Sequence, residues 1–407
     1  MRTSRSMRPP PSPETALAEL ERQQLLRVRH TVADYAEPHS TTHAIVAGRR
    51  LLNFCGNDYL GLARHPEVTG ALREAASRYG VGSGASHLIT GHGREHARLE
   101  EELAAFVGSE RALLFSTGYM ANLAALTTFA GRADRVLLDR LSHASLIDAA
   151  LLSGARLRRF AHADAAAAER MLAEPSGSMR PQRSTIIATD GLFSMDGDLA
   201  PLARLALAAR AHAAWLIVDD AHGLGVLGKR GRGTLEHCGV DVREVPILIG
   251  TLGKAFGTFG AFIAGPAAVI ELLIQRARSY IYTTALPQAV AAATRAALAL
   301  AQRESWRRER VLALTAQFRA AAVTAGIPLA ASFTPIQPLI LGGAREVLAV
   351  SRRLFDAGFW VAAIRPPTVP RNAARLRLTF SAAHTEEQVG ALVHALSGAL
   401  HGMAQAS

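Results

Sequence analysis

The sequence predicts an α/β protein with a mostly parallel central sheet covered by helices on both faces, followed by a smaller α+β unit. Three observations predict it. Between about 95 and 265, short continuous apolar runs alternate with helix-period segments, as strands buried on both faces do. After a long Ala-rich helix near 288–304 the pattern shifts to strands near Gln337 to Leu341, Trp360 to Ile364 and Arg375 to Phe380. The chain has 407 residues, 49% hydrophobic and 19% charged, enough for a large domain plus a smaller one.

Taken in order, residues 1–13 are rich in Arg, Ser and Pro and read as a flexible tail. Residues 14–50 read as an N-terminal helix, over 14–35, and a linker. A large domain over 51–290 opens with a strand and turn at 51–61. Helix 95–107 precedes strand Ala112 to Phe115, and a helix beginning near Met120 precedes strand Val136 to Asp139. The Ala-rich helix 163–173 precedes strand Thr185 to Thr189, and helix 199–212 precedes strand Trp215 to Asp219. Strands Ile247 to Ile249 and Phe259 to Ala264 follow. Residues 291–407 form the small C-terminal domain. In such a sheet, ligands gather beyond the C-terminal strand ends.

Composition removes several function classes. No apolar run reaches the ~18 residues of a membrane span, and the first residues lack the apolar core of a secretory signal. Two cysteines, Cys55 and Cys238, without a CxxC, argue against a disulfide framework or a cysteine-built zinc site. A reducing cytoplasm is the default. The net charge of +11 comes with scattered arginines and only 6% aromatics, a poor match to nucleic-acid binding. It suits a phosphate-bearing small molecule such as coenzyme A.

Only two of the 45 Lys and Arg residues are lysines, Lys229 and Lys254. Arginine replaces lysine where only charge is wanted, but not where an amine must lose its proton and attack a carbonyl. Arg-rich coding explains the depletion, and it suits Lys229, in the solvated turn GKRGRG. Lys254 has a different setting. It follows the strand-like run Pro246-Ile-Leu-Ile-Gly, in the Gly-flanked turn TLGKAFG (251–257).

Three other segments also follow predicted strands. FSTGYMAN (115–122) opens a helix, whose free N–H groups suit a phosphate, although any N-cap looks alike. DRLSHAS (139–145) offers His143 as a stacking ring or a base; a lone loop histidine is more often structural. IVDDAHGLG (217–225) offers Asp219 for a protonated ring nitrogen and His222 three residues on, against the alternatives of a metal pair or a plain N-cap. The P-loop spacing is absent and no GxGxxG opens a βαβ unit. Together the four segments supply an imine-forming lysine, a carboxylate, a stacking partner and a phosphate cup, the needs of pyridoxal phosphate.

These motifs, with NDYLGL (57–62), GSGAS (82–86), LEEELAAF (99–106), DGLFSMDGDLAPL (190–202) and IRPPTVP (364–370), resemble the α-oxoamine synthase family of fold-type I pyridoxal-phosphate enzymes. The similarity runs from about 14 to 400. IRPPTVP, with IQPLI (336–340) before it, resembles the members that condense L-alanine with a pimeloyl thioester, on coenzyme A or a carrier protein. The resemblance implies a homodimer and a set of roles. Lys254 would bind the cofactor's aldehyde carbon and shuttle the proton. Asp219 would pair with the ring nitrogen, His222 and Ser194 would lie near the phenolic oxygen, and His143 would stack on the ring. Gly118, Tyr119 and Thr251 would serve the cofactor, and Thr283 would reach the phosphate across a dimer interface. Arg365 would clamp the amino-acid carboxylate, with Asn57, Thr368 and Arg27 on the substrate side. No metal is implied. His87 and Leu88 stand where many relatives have Arg, and Cys55 replaces a small hydroxyl residue. A glycine-using relative or an aminotransferase of the same fold is the rival enzyme.

Overall fold

The computed structural model describes residues 12–174 and 184–404. Helix α1 (Pro13–Arg22) leads into three strands, β1 (Val32–Tyr35), β2 (His43–Val46) and β3 (Arg49–Asn53). Helices α2 (Pro66–Tyr79) and α3 (Arg94–Val107) flank a π-helical turn, His87–Gly91. The alternating region runs β4 (Arg111–Phe115), α4 (Gly118–Phe129), β5 (Arg135–Asp139), α5 (Ala144–Ser153), β6 (Arg156–Phe160), α6 (Ala165–Ala173), β7 (Thr185–Asp190), α7 (Leu202–Ala211), β8 (Trp215–Asp219). The one-turn α8 (Thr234–His237) precedes β9 (Ile247–Thr251), β10 (Ala261–Gly265), α9 (Ala267–Arg276) and α10 (Arg278–Ile281). Two long helices follow, α11 (Gln288–Arg303) and α12 (Trp306–Thr324). The chain closes with β11 (Ile336–Gly342), α13 (Ala344–Asp356), β12 (Phe359–Trp360), β13 (Ala362–Ile364), β14 (Ala374–Thr379) and α14 (Glu386–Ala404).

The central sheet has the strand order β4-β10-β9-β8-β7-β5-β6. The run from β9 through β8, β7 and β5 to β6 is parallel; only β10 is antiparallel, between β4 and β9. Alternate side chains enter two different cores. Val136, Leu138, Ile186 and Ile217 pack with α4, α5 and α9 on one face. Leu137, Ile187, Leu216 and Val218 pack with α3, α6, α7 and α11 on the other. That two-sided burial makes the strands continuous apolar runs rather than alternating ones. A separate core under β11, β13 and β14 is built from α12, α13 and α14.

Several expectations are corrected. The helix over 14–35 stops at Arg22: Gln24 takes a positive φ of 59°, and Leu25 and Leu26 turn their N–H groups back to Leu20 O. The segment's last four residues, Val32–Tyr35, become β1, paired with β2. Strand 360–364 is two strands. Trp360 pairs with Asn53 in β3, whereas Ala362–Ile364 pairs with β14. The expected division between 290 and 291 falls inside α11, which packs against α2 and α3. Residues 1–11 of the expected tail lie outside the described residues; Ser12 caps α1 by accepting the Thr15 N–H.

Candidate active site

The C-terminal ends of the parallel strands bring His143, Asp219, His222 and Lys254 into one region. Thr117 caps α4, its side chain accepting the Met120 N–H at 3.2 Å. That leaves Gly118 and Tyr119 at the helix's positive end, where backbone N–H groups favour an anion. A Cβ on Gly118 would lie 2.7 Å from Thr251 Cγ2, so only glycine lets the α4 turn approach β9 this closely. Thr251 in turn donates its hydroxyl to Ala221 O at 3.3 Å, tying β9 to the loop that carries His222.

Asp219 ends β8 and is 5% exposed. Asn122 Nδ2 donates to its Oδ2 at 2.6 Å, and Ala221 N–H to its Oδ1 at 3.1 Å. Asp190 lies directly beside it in the β7–β8 register. Two buried carboxylates on adjacent strands cannot both ionise cheaply. Burial first, then the Asp219 charge, push Asp190 well above the usual carboxylate range. Asp190 accepts the backbone N–H of His143 at 2.9 Å.

Lys254 sits in the turn after β9. Loss of solvent lowers its pKa to about 8; Asp219 opposes the shift and Arg377 adds to it. Its amine therefore loses its proton closer to neutrality than a solvent-exposed lysine does. His222 is buried, and burial, Lys254 and Arg377 hold it well below its ordinary value. Its Nδ1 lies 2.7 Å from the Tyr59 hydroxyl. Arg377, on β14 and 5% exposed, donates to that hydroxyl at 3.3 Å, to Asn57 Oδ1 at 3.2 Å and to Ser194 O at 2.6 Å.

The remaining expected residues lie in two other settings. Arg365 Nη1 donates to Gln24 O at 2.7 Å, and both its terminal nitrogens reach Leu26 O. Arg27 donates to Thr368 Oγ1 at 3.4 Å. These contacts strap the segment after α1 onto the 364–370 loop. Thr283 follows α10 and donates to Ser279 O, while the Tyr119 hydroxyl donates to Asp148 Oδ2. Arg377, Tyr59, Asn122 and Asp190 escape the sequence reading. For Arg377 the sequence offers no local signal: two arginines alternating with apolar residues in ARLRLT read as a polar strand face, and the structure shows the strand buried at every position.

Among the described residues, one histidine group outside these contacts has metal-ligating separations, His87, His92 and His96. His96 Nδ1 accepts the Gly93 N–H at 2.9 Å and Nε2 faces Leu286 O at 2.6 Å, so neither nitrogen has a free lone pair for an ion.

A reactive lysine, a buried carboxylate one strand away and a helix N-terminus narrowed by Gly118 fit pyridoxal phosphate, and with this sheet they define a fold-type I pyridoxal-phosphate transferase. The family model for aminotransferase class I and II matches residues 49–396. The chain is 56% identical over 388 residues to 8-amino-7-oxononanoate synthase of Methylococcus capsulatus, covering 95% of this chain and 98% of that one. It is 58% identical to the Thioalkalivibrio sulfidiphilus enzyme of the same name, covering 90% and 92%. Among solved structures, Sphingomonas wittichii serine palmitoyltransferase superposes with a TM-score of 0.89 at 29% identity, covering 96% and 97%. The 8-amino-7-oxononanoate synthase of Francisella tularensis gives 0.74 at 31%, covering 87% and 98%. This chain belongs to the 8-amino-7-oxononanoate synthase family.

Proposed function

We propose that this protein condenses L-alanine with a pimeloyl thioester to give 8-amino-7-oxononanoate, CO2 and free thiol, a step of biotin biosynthesis. A C–C bond forms between the alanine Cα and the thioester carbonyl carbon. The C–S bond breaks and the thiol leaves, the bond from Cα to the carboxylate breaks, and a proton returns to Cα. The observation that carries this reading is Lys254, its pKa lowered to about 8 by burial beside Asp219, His222 and Arg377.

Bound pyridoxal phosphate supplies an electron sink for negative charge at Cα. The chain's own residues do the rest. Lys254 takes the Cα proton and returns it, the task for which a pKa near neutrality is suited. Asp219, fixed by Asn122 and Ala221, would be the carboxylate for the protonated ring nitrogen. His143 would cover the ring, His222 and Ser194 would serve its phenolic side, and Gly118, Tyr119 and Thr251 would receive the phosphate end. Arg377, held among Asn57, Tyr59 and Ser194, is a second candidate beside Arg365 for the amino-acid carboxylate. Arg27 and Thr368 would line the acyl side.

A homodimer is part of this reading. Leu88 (46% exposed), Ile89 (75%), Tyr119 (44%) and Tyr282 (69%) present apolar surface on the π-helical turn, on α4 and just after α10, which packs against both. Exposed apolar surface of this kind is what a partner subunit covers, and Thr283, next to Tyr282 in the chain, would then reach the partner's phosphate. No helix among the described residues is long and apolar enough to cross a membrane; we assign the reaction to the cytoplasm, which suits two unpaired cysteines.

The test is purified protein with L-alanine and pimeloyl-CoA or a pimeloyl-carrier protein, followed by thiol release. Alanine should outpace glycine and serine. Thiol release with glycine but not alanine, or amino-group transfer without any acyl donor, would overturn the assignment.

A further inference from the structure

Ser145 is fully buried at the start of α5, and Asn122 is 1% exposed on α4. The Asn122 amide nitrogen touches both Ser145 Oγ at 2.7 Å and Asp219 Oδ2 at 2.6 Å. A carboxylate needs a donor, so the amide's NH2, not its oxygen, faces Asp219. One of its hydrogens goes to Asp219 and the other to Ser145. Ser145 Oγ is thereby an acceptor toward Asn122, and its single hydrogen is left for its other neighbour, His143 Nδ1, at 2.7 Å. The Ser145 backbone N–H points at the same nitrogen, at 3.3 Å. His143 Nδ1 faces two donors and must offer a lone pair.

We propose that Ser145 and Asn122 are positioning residues for the condensation, holding His143 as the tautomer protonated on Nε2 and linking it to the Asp219 carboxylate. The assignment rests on the proposed function only for its kinetic consequence. A neutral imidazole protonated on Nε2 has no basic nitrogen left for the open side of the site. His143 is therefore a hydrogen-bond donor there, suited to a carboxylate or developing oxyanion, and proton abstraction falls to Lys254. Asp219, Lys254, Asp148, Asp190 and His222 are the charged or titratable groups around the ring. Loss of solvent lowers the His143 pKa against the opposing pull of Asp219, and Lys254 adds to the lowering, which favours the same neutral form. Asn122 Oδ1 is buried without a partner among the described residues. The two donor contacts of this amide therefore come with an unpaired acceptor, a cost that an apolar residue would avoid.

The experiment uses the full-length protein labelled with nitrogen-15 histidine, with and without pyridoxal phosphate. Long-range proton–nitrogen spectra report which ring nitrogen carries hydrogen, and H143Q identifies the signal by its loss. The wild type should show Nδ1 bare and Nε2 protonated at neutral pH. In S145A the tautomers should mix and the ring should protonate at higher pH, with kcat lower by on the order of tenfold and KM for alanine little changed. S145T, which keeps the hydroxyl, should restore the wild-type tautomer. A hydrogen on Nδ1 in the wild type overturns the proposal, as does an S145A spectrum and kcat identical to wild type. The wild-type spectrum decides even if the variants fold poorly. The expected tautomer in a protein that releases no thiol would overturn the reaction and leave this assignment standing.

Discussion

The Tyr59 hydroxyl lies 2.7 Å from Nδ1 of His222 and 3.3 Å from Arg377 Nη2. Arginine can only donate, so the phenol accepts from Arg377, and its own hydrogen has Asn57 Oδ1, at 3.2 Å, and His222 Nδ1 within reach. A turn from the N-terminal half, the end of the central sheet and a strand of the C-terminal unit meet at one oxygen.

Tyr59→Phe removes that oxygen and leaves a buried imidazole nitrogen and a buried guanidinium group each short of a partner. An unpaired buried polar group costs about 1–3 kcal/mol, so urea denaturation should show a loss in that range. The midpoint should shift with the slope unchanged.

Lys254 sets a pH dependence for cofactor capture. The amine attacks only when neutral. With a pKa of about 8, lowered chiefly by burial, about a tenth is neutral at pH 7 and about half at pH 8. The rate of visible-band formation, measured by stopped flow on cofactor-free protein, should rise through this window and level off above it. Lys254→Ala should give no band and no thiol release.

The two arginines should separate. Arg377→Ala should weaken apparent alanine affinity and lower kcat together, because it also unties Tyr59 and Asn57. Arg365→Ala should raise hydrogen exchange in residues 23–27, where it holds the carbonyls of Gln24 and Leu26. If only Arg365→Ala alters alanine affinity, the carboxylate clamp is Arg365.

His162 bridges Asp139 and Asp198, each at 2.9 Å. Burial alone would lower its pKa; the two carboxylates override that and raise it to about 10 from 6.5. Its folded-state pKa exceeds its unfolded one. The stabilisation is whole below pH 6.5 and falls away as pH rises toward 10. Melting temperatures of wild type and His162→Gln should differ most at pH 6 and converge near pH 10.

Ile89→Asp places a charge on the exposed apolar surface. Sedimentation should show the wild type as a dimer and this variant shifted toward monomer, with fold retained by circular dichroism. A monomeric wild type would remove Thr283 from any partner's site.

The central sheet was legible because its strands are buried on both faces, which leaves continuous apolar runs in the sequence. Edge strand β6 was not: RLRRF has only β5 beside it and its side chains are largely polar. The stretch 14–35 has helical periodicity, but periodicity is local. Strand β1 exists because Val32 and Tyr35 find Val46 and Ala44 on β2. The same division runs through the site. Lys254, Asp219, His222 and His143 follow strand ends in contiguous motifs, so sequence alone could gather them. Arg377, Asn122 and Asp190 act through partners far away in sequence, and nothing local in ARLRLT says that its arginines point inward.

The pairing of β3 with β12 also orders the protein's birth. Strands β4 to β10 occupy one continuous stretch, so the central sheet has all its strands once Gly265 has left the ribosome. The sheet begun by Val32 waits for Phe359 and Trp360 to reach Leu52 and Asn53. Its outer edge on β3 stays open during almost all of synthesis, and such an edge is a template for pairing with other chains. Truncation before residue 359 should therefore leave the central sheet able to form, yet leave β3 unpaired and the product prone to aggregate.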